Sequence, residues 1–216
     1  MAKETRKELL NSQDEFITTT GSIIKWIRKY PGRSIAIGLI TVIVIGSSIG
    51  FFYWRQARKD HAITAYFHAG EEISMVHDAS ARYADTRAGK LGILKEARLH
   101  FEQKDYDKAI GLGNQFINTC GHKDIFYYQA LILTAAAYME TKDHAEALTR
   151  LENCAGSGSE DLRNQALFYK AIILNQTDKK AEAQEILKNI SGDYGKLGKA
   201  MQTEAQIQPE ETVYAE

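Results

Sequence analysis

Hydrophobic positions fall into one unbroken run followed by a long stretch of spaced ones. From Ser34 to Trp54 (SIAIGLITVIVIGSSIGFFYW) 21 residues pass without a charged side chain. At about 1.5 Å of rise per residue, a helix of this length reaches about 31 Å, close to a hydrocarbon core of about 30 Å. Ile, Val, Leu and Phe favour lipid over water. A water-free surrounding also obliges the backbone to bond to itself, so the run predicts a single transmembrane helix. Phe51, Phe52, Tyr53 and Trp54 stand where a cleavable signal would carry small residues, so the segment is expected to stay as an anchor.

Before the run, Leu9, Leu10, Phe16, Ile17, Ile23, Ile24, Trp26 and Ile27 recur in a loosely helical pattern. Ser22 to Tyr30 predicts a short amphipathic helix at the membrane surface, with Trp26 and Tyr30 at head-group level. Pro31 and Gly32 then turn the chain into the membrane. Residues 1–33 form this tail and 34–54 the span. Residues 55–86 form a link, helical as one piece over 60–84, where Ala62, Ala65, Tyr66, Ala69, Ile73 and Val76 share a face.

Beyond the link the spacing repeats. The segments Asp105–Ile110, Asp143–Leu148 and Lys179–Gln184 each follow a short polar turn, and their alanines Ala109, Ala147 and Ala183 lie 38 and 36 residues apart. Twelve residues upstream of each stands a second alanine: Ala97, Ala135 and Ala171. These upstream alanines lie in the apolar helices Leu91–Glu102, Phe126–Glu140 and Leu162–Gln176. Small residues at both positions let two helices of a hairpin cross closely. Helix–turn–helix units with a period near 34 are the signature of the tetratricopeptide repeat. The expected fold is therefore all-α: one transmembrane helix followed by a solenoid of about three such repeats over 87–195. Residues 196–216 are expected to be a flexible tail. The repeats are degenerate. Ile93, Leu131 and Leu167 replace the aromatic common early in the first helix, and no repeat ends in proline.

Composition supports the helical reading. Only Pro31 and Pro209 occur, so the strongest helix breaker is absent between them. Charge adds a direction. Residues 1–59 carry 10 Lys/Arg against 4 Asp/Glu, and residues 60–216 carry 17 against 24. The basic part suits anionic lipid head groups, and the acidic part argues against nucleic acid. Lys25, Arg28, Lys29 and Arg33 precede the span, whereas Arg55, Arg58 and Lys59 follow it. This balance predicts a cytoplasmic N-terminus and an exported C-terminal domain.

In layout the chain resembles the YfgM-like family of bacterial inner-membrane tetratricopeptide-repeat proteins, ancillary to the SecYEG translocon. The resemblance rests on the basic tail ending in Trp26–Tyr30, the span 34–54 with its exit Phe51–Arg55, and the repeats over 87–190. It implies an inner-membrane protein whose repeats face the periplasm, with translocon subunits, periplasmic chaperones and exported clients as partners. No functional motif of that family is present to transfer.

Chemistry is not expected. The histidines His61, His68, His77, His100, His122 and His144 form no metal-ligand motif, and no nucleophile, nucleotide or cofactor signature appears. Gly89, Gly92, Gly111 and Gly113 predict close helix packing and not a phosphate loop. Cys120 and Cys154 lie 34 apart. In an exported domain they are either a disulfide or two separate thiols, and neighbouring helices about 9 Å apart are wide for a bridge. Gly46 and Gly50 make a G-x-x-x-G, either a packing face for another helix or for a second copy of the chain, or a chance pattern.

The repeats themselves offer a groove. Helical phase from the alanines assigns Leu94, Arg98 and Phe101 to it from the first repeat, and Gln129, Ile132 and Met139 from the second. The third supplies Gln165, Phe168, Ile172 and Asn175. This lining suits a stretch of unfolded or helical peptide, although Ile132, Phe168 and Ile172 are equally core candidates. The expected function is a non-enzymatic interaction scaffold, anchored in the membrane, that assists handover of exported proteins. The alternative is an assembly factor for an envelope complex.

Overall fold

The computed structural model describes residues 21 and 23–211, without the side chains of 155 and 202–211. Readings that concern residues 1–20, 22 and 212–216 lie outside these. The chain divides into two units, one ending at Ala57 and the other starting at Arg58.

In the first unit, residues 23–29 are helical, and a single non-helical residue, Tyr30, separates them from α1 (Pro31–His68). The expected break at Pro31 and Gly32 is therefore one residue earlier. Proline takes the first helical position, where its missing N–H costs nothing. The apolar run sits inside α1, which is long and apolar enough to cross a membrane. A core helix of a soluble protein would be mostly buried, whereas the apolar window of α1 has none of its residues buried and Val42 is 69% exposed. Three hydroxyls of the run bond within the helix. Ser34, Thr41 and Ser48 donate to the carbonyls of Tyr30, Ile37 and Val44 at 3.0, 2.8 and 2.7 Å. That pairing removes the cost of carrying them into hydrocarbon. Nothing lies within 4 Å of a Cβ built on Gly46 or Gly50.

The second unit begins with the end of α1 and α2 (Ile73–Arg82). The link over 60–84 is not one helix, because Gly70 takes the left-handed conformation at φ +52° and α1 stops at His68. Glycine bears that conformation without a Cβ clash. Arg58 fastens the start of this unit. Its guanidinium donates to Asp85 Oδ1 at 2.7 Å and to the Arg82 carbonyl at 3.0 Å, and it lies over the Tyr83 ring.

Three helical hairpins follow: α3 (Arg87–Glu102) with α4 (Tyr106–Thr119), α5 (Ile125–Glu140) with α6 (His144–Asn153), and α7 (Glu160–Gln176) with α8 (Lys180–Asn189). Thr86, Asp124 and Ser159 cap the first helix of each by accepting backbone N–H groups of the first turn. All six marked alanines are buried, none more than 2% exposed. The turns match as well. Lys104, Lys142 and Asp178 are all left-handed, at φ 62°, 64° and 60°. In each turn the next N–H reaches back five residues: Asp105 to His100, Asp143 to Tyr138 and Lys179 to Leu174, all at 2.9 Å. This is the Schellman closure of a helix end.

The main apolar cluster joins α5, α6 and α7 through Leu131, Ile132, Leu151, Leu162 and Ile173. Close approach is set by glycines. A Cβ on Gly113 would stand 2.3 Å from Thr134 Cγ2, one on Gly92 2.2 Å from Ser80 Oγ, and one on Gly89 2.0 Å from the Tyr83 carbonyl oxygen. Gly111, expected to act similarly, faces open space. Where a flexible tail was expected from 196, α9 (Gly192–Glu211) is helical. It packs Gly198 against Leu187, and Tyr194 stacks with Phe168.

Candidate binding groove

The first helices of the three hairpins line a cavity of about 440 Å³. From α3 come Leu91, Leu94, Lys95, Arg98 and Phe101. From α5 come Phe126, Gln129, Ile132, Leu133 and Ala136. Gln165 and Tyr169 of α7 and Tyr66 of α1 complete it. Placement follows from helical phase, because residues three and four apart share a face. Counted from the buried alanine of each helix, positions −6 and −2 line the cavity in all three helices, and +1 does so in α3 and α5. Lys95, Leu133 and Tyr169 all stand at −2.

Six of the ten expected groove residues line this cavity: Leu94, Arg98, Phe101, Gln129, Ile132 and Gln165. The other four do not. Met139 packs against the main apolar cluster. Phe168 packs against the cluster of Ala171, Leu174 and Leu187 and stacks on Tyr194. Ile172 and Asn175 are half-buried away from the cavity. The last lining residue falls earlier in each successive helix, Phe101 at +4, Ala136 at +1 and Tyr169 at −2 from the alanine, so α7 contributes nothing beyond Tyr169. Ile132 has both roles, because it is 5% exposed in the core and also faces the cavity. The −2 positions, Leu91, Phe126, Ala136 and Tyr66 were missed. The repeated −2 spacing was readable once the arc was centred correctly, but Tyr66 belongs to no repeat.

The lining is mostly apolar and aromatic, with two amides and two cations. Lys95 Nζ lies 4.8 Å from the centre of the Tyr66 ring, a cation–π contact. Arg98 pairs with Glu102 one turn on, at 3.4 Å. Gln129 and Gln165 bring both donors and acceptors to the wall, which suits an extended backbone.

Cys120 and Cys154 are both free thiols. Cys120 is half-buried, with its Sγ 3.4 Å from the Ile117 carbonyl. Cys154 is fully buried, and burial pushes its thiol up to about 11. Among the described residues no three His, Cys, Asp or Glu gather in a way that could hold a metal ion. His77 Nδ1 lies 3.0 Å from Oε1 of Glu96, a buried carboxylate on α3. His61 and His68 are exposed.

No protein-family model matches the chain, and no match is found among curated proteins or solved structures.

Proposed function

We propose that this protein is a membrane-anchored interaction scaffold that holds segments of exported polypeptides in the groove of a tetratricopeptide-like repeat domain. The observation that carries this reading is the cavity itself. It spans three successive first helices, it is large enough for several side chains, and its lining combines apolar walls with amides. Two further features support a repeat architecture: buried alanines at matching positions, and left-handed turns at the same 38- and 36-residue spacing.

The anchor is part of the mechanism. Confining a weak binder to a membrane surface raises its effective concentration near a membrane complex without a new contact. We place the N-terminus in the cytoplasm and the groove in the periplasm of a bacterial inner membrane. The partners are translocon subunits, exported clients and periplasmic chaperones, and there is no catalytic step. This assignment rests on charge balance and on the family resemblance.

Pull-down of the intact protein from gently solubilised membranes, read by mass spectrometry, tests it. Translocon subunits and periplasmic chaperones should co-purify in less than equal amounts. A stoichiometric complex of other envelope proteins, with neither of those, would instead make the chain an assembly factor. A periplasm-active reporter fused after Glu216 should be active, and a silent fusion would reverse the orientation.

A further inference from the structure

The groove carries a charge opposite to that of the unit around it. Residues 60–216 hold 17 Lys/Arg against 24 Asp/Glu. Yet no carboxylate lines the cavity, and two cations, Lys95 and Arg98, do. They stand three positions apart on α3, so both reach the same wall.

Neither cation is firmly neutralised. Lys95 makes no ion pair among the described residues, and the Tyr66 ring holds its ammonium against the cavity edge. Arg98 has Glu102 at 3.4 Å, but the two side chains are 54% and 56% exposed. Such a pair is screened by water and contributes little. A carboxylate arriving on a bound chain can therefore take its place. Beside the cations, Leu94, Phe101 and Phe126 offer apolar contact.

We infer that the groove selects apolar segments carrying an acidic side chain, an Asp or Glu flanked by large apolar residues. The carboxylate is received by Lys95 and Arg98, and the flanking side chains lie against Leu94, Phe101 and Phe126. This rests on the peptide-binding reading above and adds the class of segment. A basic segment meets like charge on a partly desolvated wall, which rejects it. A purely apolar segment is accepted more weakly, since it brings no counter-charge.

Fluorescence anisotropy on the full-length protein in lipid nanodiscs tests this. The probes are three short labelled peptides of equal Leu and Phe content with amidated C-termini, differing only in two central residues: Asp, Asn or Lys. The Asp peptide should bind about tenfold tighter than the Asn peptide at low salt, and the Lys peptide weakest of all. The Asp advantage should shrink as salt rises to about 0.5 M. Lys95→Ala with Arg98→Ala should abolish the preference, so that the variant binds the Asp and Asn peptides equally and the ratio between them falls from about ten to about one; a ratio that stays near ten in this variant would overturn the inference. Equal affinities for all three in the unaltered protein would overturn the inference while leaving peptide binding intact. No binding of any peptide would overturn both. An Asn peptide with a free C-terminal carboxylate that matches the Asp peptide would also overturn it, because the terminus would then be what is read. Binding that falls as protein concentration rises would assign the groove to a second copy of the chain and overturn it likewise.

Discussion

Lys104 and Lys142 occupy the same left-handed backbone position, at φ 62° and 64°, in the turns of two successive hairpins. A lysine there carries a Cβ too close to the following carbonyl, a cost of about 1 kcal/mol that glycine avoids. Lys104→Gly and Lys142→Gly should each stabilise the protein by about 0.5 kcal/mol or more, after the extra entropy of glycine in the unfolded chain. Asp178→Gly should gain less, because a short polar side chain tolerates this conformation better. Thermal melting in detergent measures all three, and a lower melting temperature for either lysine variant would contradict the shared turn geometry.

The contact between α4 and α5 is set by Gly113 against Thr134. A Cβ on Gly113 would fall 2.3 Å from Thr134 Cγ2. Gly113→Ala should therefore destabilise by about 1–3 kcal/mol through overpacking. Thr134→Ser removes that methyl and keeps the hydroxyl bond to the Ala130 carbonyl, 2.9 Å away. The double variant should recover most of the loss. A double variant no more stable than Gly113→Ala alone would show that the clash lies elsewhere.

The two thiols should differ in reactivity. Cys154 is buried and its thiol is pushed up to about 11. At pH 8 only about one molecule in a thousand carries the thiolate there, so alkylation should run about a hundredfold slower than for an ordinary thiol. Cys120 is half-buried and should be labelled first. Mass spectrometry after timed maleimide treatment reads both. Equal rates, or a Cys120–Cys154 bridge in protein from oxidising conditions, would contradict the packing around Cys154.

Acid should weaken the cap of α5. Burial alone would raise the Asp124 carboxyl. The Arg87 guanidinium and the N–H groups of Tyr127 and Phe126 outweigh that and hold it below the ordinary carboxylate value. A depressed group stabilises the fold above its unfolded value of about 3.9, and that stability fades as pH falls through the lower folded value. Asp124→Ala should cost about 1 kcal/mol at neutral pH, mainly the lost cap, and the difference from the unaltered protein should narrow as pH falls below the unfolded carboxylate value of about 3.9. A gap that stays constant from neutral to strongly acid pH would show that ionisation of Asp124 plays no part.

Much of the helical layout was legible because it rests on spacing. The alanine pairs located three hairpins whose first helices begin and end within a few residues of the expected bounds. The turns were less legible, because Lys104 and Lys142 adopt a conformation that sequence assigns to glycine. Gly70 did carry that signal, and it divides what the apolar face of 60–84 had joined. The groove was legible to about one position of phase. The arc chosen from the alanines reached Leu94 and Gln129 but stopped short of Lys95, Leu133 and Tyr169. Met139 and Phe168 were lost to it because core packing and α9 claim them. Tyr66 could not be found from the repeats, since only the fold brings the end of α1 against α3.

The central claim is that exported polypeptide lies in the groove of the anchored protein. The most direct measurement places a photo-crosslinking residue at Gln129, on the groove, or at Gln184, exposed on α8 and outside it. A labelled secretory polypeptide arrested during translocation through membranes containing the full-length protein is then irradiated. Adducts from Gln129 and not from Gln184 are predicted. Adducts from neither position, or equally from both, would contradict the claim.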